Sequence, residues 1–125
     1  MPARHFAEGL LPYQLHEHAD YLEIRVEGAF QSVVHFEAEN PAGAGLFRVL
    51  LNYEAVTEIT VDALSVAAQA QLAEELGYRV AVYAPRPALF GLSRQAFQLG
   101  HVEEGISAAV FTDLNAAREW LRTNR

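Results

Sequence analysis

From Leu22 to Glu27 apolar and polar residues alternate, with Leu22, Ile24 and Val26 on one face and Glu23, Arg25 and Glu27 on the other. A period of two predicts a half-buried strand, and Gly28 ends it. A shorter segment, Pro12–His16, is placed to pair with it across His18-Ala19-Asp20 as an antiparallel hairpin. Ser32–Glu39 reads two ways: Ser32 can cap a short helix, while Val33, Val34, His35 and Phe36 suit a strand. Asn40-Pro41-Ala42-Gly43-Ala44-Gly45 is a loop, not a domain linker, because the apolar segments on its two sides need each other.

Beyond the loop the rhythm changes. Leu46–Leu51 and Arg79–Ala84 are short and mostly apolar, as strands covered on both faces are. Between them Asp62 can cap a helix whose i, i+4 stripe is Leu64, Ala68, Leu72 and Leu76, with Gly77 where a C′ glycine belongs. Strand, helix and strand make a right-handed βαβ unit. In the next unit Pro87 starts a helix that buries Leu89, Leu92, Ala96 and Leu99 and ends near Gly100. A strand at Ser107–Phe111 follows. Thr112 or Asp113 then caps a last helix, with Leu114, Ala117 and Leu121 on one side and Trp120 adjoining them. The fold class is α/β: a mixed, mostly parallel sheet with an antiparallel N-terminal hairpin and helices packed on it. A chain of 125 residues is one domain, since two cores of about 60 residues each are marginal on their own.

The order of elements resembles the STAS domain, the family of sulfate transporters and anti-sigma-factor antagonists, over residues 10–122 of a single domain spanning 1–125. The resemblance rests on that order and on Val49-Leu50-Leu51-Asn52 followed by Val56-Thr57-Glu58-Ile59-Thr60-Val61-Asp62-Ala63-Leu64. The family has a buried strand there, then an Asp-Ser-Ser/Thr-Gly-Leu-like motif opening a helix. Arg79–Pro85 with Arg86-Pro87-Ala88-Leu89-Phe90-Gly91-Leu92 is similar as well, as is the ending Val110-Phe111-Thr112-Asp113 with Ala116, Ala117, Trp120 and Leu121. The resemblance implies a regulatory module in which the serine after the motif's Asp is switched by phosphorylation. This chain departs from that pattern. With Ile59 aligned before the motif, Thr60 takes the Asp position and Val61 the serine position, while Asp62 and Ala63 take the Ser and Gly positions that follow. Valine accepts no phosphate, and Thr60 stands one position early. Residues 30–46 are also short for the family's first helix and its loop, so that helix is expected to be reduced or replaced.

Charge narrows the partners. Every basic residue is Arg, and the net charge of −7 sits wholly in residues 1–62. Such a field repels nucleic acid, and no basic run offsets it. No apolar stretch approaches the ~18–20 residues of a membrane span. The N-terminus lacks the apolar core of a signal peptide, and there is no Cys, so a cytoplasmic location without disulfides is expected.

The carboxyl ends of the parallel strands are where ligands and partners gather. There Asn52–Asp62, Ala84–Ala88 and Thr112-Asp113 are expected to meet, bringing together Thr60, Val61, Asp62 and Arg86. Arg86 beside a helix start favours an anion, and Asp62 opposes one unless capping consumes its carboxylate. His16 and His18 point to one face of a strand, but too few ligands surround them for a metal, and no cofactor is expected. Ser65, Ser93 and Ser107 have no elbow motif and no nameable base, and Ser93 reads as ordinary helix surface. Gly43 and Gly45 precede a strand, whereas a phosphate loop follows one. Apolar area left at Leu89, Phe90 and Phe97 would suit a partner or a second copy, as a possible homodimer, if the core does not take it.

The expectation is a non-catalytic module of STAS type, not an enzyme, presenting the loop-to-helix edge around Thr57–Leu64 to a protein partner with a basic surface. The alternative is a domain binding an anion, nucleotide or lipid in the crevice between the helix starts at Asp62 and Arg86.

Overall fold

The computed structural model describes residues 13–33 and 47–123. Its elements in chain order are β1 (Tyr13–Glu17), β2 (Leu22–Phe30), β3 (Arg48–Ile59), α1 (Ala63–Glu75), β4 (Arg79–Tyr83), α2 (Pro87–Leu99), β5 (Ala108–Phe111) and α3 (Leu114–Thr123). The strands form one sheet in the order β1-β2-β3-β4-β5. β1 runs antiparallel to β2 and every other pairing is parallel. This is the α/β architecture expected, hairpin included. Ser32 and Val33 lie outside any regular element, and the rest of the ambiguous Ser32–Glu39 segment and the loop after it fall outside the described residues. Among the described residues no helix is long and apolar enough to cross a membrane.

The sheet is covered on both faces. On one, Leu22, Ile24 and Val26 of β2 join Val49, Tyr53, Val80, Val82 and Val110 beneath α1 and α2. On the other, Tyr21, Leu50 and Ala81 meet Ala117 and Leu121 of α3. The alternation along β2 predicts a wet face at Glu23. The start of that face is covered instead: Arg118 of α3 approaches Glu23, which is completely buried, while Glu27 stays exposed.

β3 is longer than the apolar run that announces it. Only Arg48–Asn52 pairs with β4. Past that point β3 stays hydrogen-bonded to the tail of β2, from Glu27 opposite Ala55 to Phe30 opposite Ile59, through two register shifts. Most of the expected connection from Asn52 to Asp62 is therefore strand, because β2 supplies partners for backbone groups that a loop would leave to water.

α1 begins and ends as its sequence indicates. Ser65 N–H donates to the Asp62 carboxylate at 2.7 Å. At the other end Gly77 has φ +84°, its N–H donates to Glu74 C=O, and Tyr78 N–H donates to Ala73 C=O, a Schellman closure. The buried face, however, is not the one expected. Ala67, Gln69 and Ala73 turn inward, with Val66 and Ala70 packed on the core. Leu64, Ala68, Leu72 and Leu76 turn outward. Both stripes have helical spacing, and close approach decides between them. A Cβ on Gly100, at the end of α2, would stand 2.8 Å from the Ala67 carbonyl oxygen. Only the alanine side of α1 allows backbones so near each other.

α2 buries Leu89, Ser93, Ala96 and Phe97, so the aromatic area expected as a possible partner surface is largely core. Ser93 is likewise buried rather than on the surface; its hydroxyl donates to the Leu89 carbonyl at 2.9 Å. Leu99, expected inside, is 45% exposed. The helix closes with Val102 N–H on Phe97 C=O and His101 N–H on Gln98 C=O. The left-handed position falls to His101, at φ +57°, and not to Gly100, whose φ is −87°. Glycine is needed one residue earlier, where α1 presses in.

Two substitutions separate these requirements. Gly100→Ala forces a methyl onto backbone and is expected to cost about 1–3 kcal/mol. His101→Gly relieves a left-handed side chain and is expected to stabilise by about 1 kcal/mol. Urea denaturation of both variants checks the pair; equal behaviour at the two positions would contradict this account of the turn.

Candidate functional site

The expected site residues follow one another along a short path. β3 ends at Ile59, and Thr60 N–H and Val61 N–H both donate to the Phe30 carbonyl at 3.0 Å, fastening the connection to the end of β2. Thr57, Glu58, Thr60, Asp62 and Leu64 are exposed. Val61 is 8% exposed and belongs to the core. Asp62 has its pKa lowered, first by the backbone hydrogen bond from Ser65. Capping thus occupies the carboxylate, as anticipated.

Arg86 is exposed, precedes α2 and makes no side-chain cap bond. It does not share a helix end with Asp62. The second turn of α1 lies against Gly100, at the finish of α2. Arg86 is at that helix's start, and thirteen residues of α2 separate the two, roughly 20 Å of helix. Asp113 caps α3 as expected, accepting from Ala116 N–H at 2.8 Å.

On the opposite face of the sheet lies a polar cluster that the sequence does not announce. Around the buried Glu23 carboxylate, Arg25 Nε donates at 2.9 Å, Asn52 Nδ2 at 3.0 Å and His18 Nε2 at 2.8 Å. Arg118 of α3 approaches to 4.0 Å. The His18 ring stacks on Tyr21 with centroids 4.3 Å apart, which orients it. Asn52 is itself buried, and its Oδ1 accepts from Glu54 N–H. Burial raises the Glu23 pKa and is the largest single influence. The hydrogen bonds from Asn52, Arg25 and His18, with the charge of Arg25, together outweigh it and bring the pKa from 4.5 to about 2. Since an ionised carboxylate only accepts, His18 carries its proton on Nε2.

This arrangement holds the Glu23 carboxylate in its charged form. A carboxyl with a pKa near 2 is a poor base at neutral pH, and donors already surround it. Of the serines, Ser93 is turned to the helix backbone and Ser107 donates to Glu74 at 2.8 Å. Among the described residues no three His, Asp or Glu are grouped to hold a metal ion.

Among the described residues, hollows lie on both faces of the sheet. One, beneath α1 and α2, is lined mostly by apolar side chains, with Gln69, Glu74, Ser93, Ser107 and Tyr53 among them; burial pushes the Tyr53 phenol pKa up. Its free volume of about 40 Å³ holds two or three waters, far less than a small-molecule site. The other, of about 470 Å³, is an open crevice at the α3 start, lined by Arg25, Val26, Glu27, Asn52, Glu54, Ala55 and Leu114. Glu27 and Glu54 give it an acidic rim.

The Glu23 pKa fixes a pH dependence. A folded-state pKa below the unfolded value stabilises the protein fully above about pH 4.5, and the contribution fades as pH falls towards 2. The shift corresponds to about 3 kcal/mol. Glu23→Gln is expected to lose at least about 3 kcal/mol at pH 7 and to flatten the acid limb of stability between pH 4.5 and 2. Urea midpoints measured across that range check both; an unchanged acid limb in the variant would assign the acid sensitivity elsewhere.

Compared with known protein families and with curated proteins, the chain matches none.

Proposed function

We propose that this chain is a non-catalytic regulatory module of STAS type that presents the edge Thr57–Leu64 to a protein partner in the cytoplasm. One observation carries the reading: Leu64, in the first turn of α1, is 70% exposed. A leucine that contributes little to its own core, set among exposed Thr57, Glu58, Thr60 and Asp62, has the character of an apolar anchor with a polar rim.

The edge is also held ready. The two hydrogen bonds to Phe30, the buried Val61 and the Asp62 cap leave it little freedom to lose on binding. Its acidity favours a basic counterpart and speeds encounter. Nucleic acid is disfavoured for the same reason.

The test is capture from an extract of the native cell with the immobilised wild type, Leu64→Arg and Asp62→Arg. Loss of the same protein from both variants is expected, with circular dichroism and thermal unfolding close to wild type. Capture that survives both substitutions would remove the edge as the interface.

A further inference from the structure

The exposed leucine does not stand alone. Along α1, Leu64 is 70% exposed, Leu72 37% and Leu76 47%, with exposed Ala68 between them at the same i, i+4 spacing. The inner side of the helix is already filled by Val66, Ala67, Ala70 and Ala73. A helix that is apolar on both sides has the composition of one covered on both sides.

Charge identifies what would cover it. From Val49 to Tyr78 there is no Arg, Lys or His, while Glu54, Glu58, Asp62, Glu74 and Glu75 are all exposed. Asp62 stands at one end of the track and Glu74 and Glu75 at the other. A second copy laid antiparallel along α1 would set Asp62 against Glu74 and Glu75, and a parallel one would set each acid against itself. An anionic membrane surface meets the same repulsion. An apolar stripe bounded by cations meets none.

We infer that the outward face of α1, continuous with the Thr57–Leu64 edge, is a docking track for an amphipathic helix of a partner protein whose apolar stripe is flanked by Arg or Lys. The inference rests on the interaction reading above and specifies the chemistry of the partner. Helix-on-helix packing of apolar stripes supplies the attraction. The acids at the ends of the track fix register and exclude acidic or self partners. The thirteen residues of α1 offer roughly 20 Å, enough for three to four turns of a partner helix.

Photo-crosslinking tests it, with Ala68→p-benzoylphenylalanine on the track and Gln95→p-benzoylphenylalanine on the exposed side of α2 as the control. Each protein is irradiated in extract of the native cell, and the joined peptides are sequenced by mass spectrometry. The expected adduct forms at position 68 only, with a segment carrying apolar residues at helical spacing and Arg or Lys beside them. Adding Leu72→Glu is expected to reduce it at least tenfold without altering circular dichroism. An adduct with this chain's own peptides, or with an acidic or uncharged segment, overturns the inference. If Leu64→Arg abolishes capture but position 68 yields no adduct, the track fails and the edge stands. If there is neither capture nor adduct, both fail.

Discussion

The carboxylate of Glu23 is taken wholly out of water between the sheet and α3, and the other parts of that face are placed as such a charge requires. An ionised group there is tolerable only if its oxygens are met by donors. Three chain segments supply them: the β1–β2 turn through His18, β2 through Arg25, and β3 through Asn52. Arg118 brings positive charge from the last helix. The cluster therefore joins the hairpin, the sheet and α3. The apolar contacts of Leu50, Ala81, Ala117 and Leu121 beside it supply attraction, while the charge narrows which arrangement of α3 is acceptable.

The opposite face follows a different rule. It is an ordinary apolar layer, and its selective element is a distance. Because Gly100 and Ala67 meet backbone to backbone, α1 must turn its alanines inward and its leucines outward. A surface suited to a partner thus arises from how two helices pack, not from a loop added to the fold. The two faces divide the labour: one holds a buried charge, and the other displays the apolar residues that the core leaves over.

How much of this could be read from residues alone depends on the range of the interaction. Leu22, Ile24 and Val26, the Asp62 cap and the Gly77 turn are local signals, and each appears where periodicity and capping place it. The length of β3 is not local: Val56–Ile59 becomes strand because the tail of β2 is beside it. In α1 the pattern holds two equally good stripes, and the choice is made by Gly100, which belongs to another helix. Glu23 shares its alternation with Arg25 and Glu27, the usual mark of a wet face, and nothing near it in the chain reports that α3 will cover it. Of the candidate site, Thr60 and Asp62 occupy an exposed edge as expected. Arg86 is exposed at the start of α2, whose other end, Gly100, is the part that meets Ala67 of α1.

The burial of Val61 bears on how such a module is governed over time. Its side chain is in the core and its N–H is tied to Phe30, so even a serine at this position would keep its hydroxyl inside the fold. An enzyme could reach it only after the segment had left β2, a local unfolding that dismantles the edge itself. The inaccessibility of this position is therefore a property of the backbone as well as of one side chain, and replacing Val61 alone would not expose it. On the proposed reading the edge has one state at this position, and its occupancy is set by how much partner is present and by competition among partners.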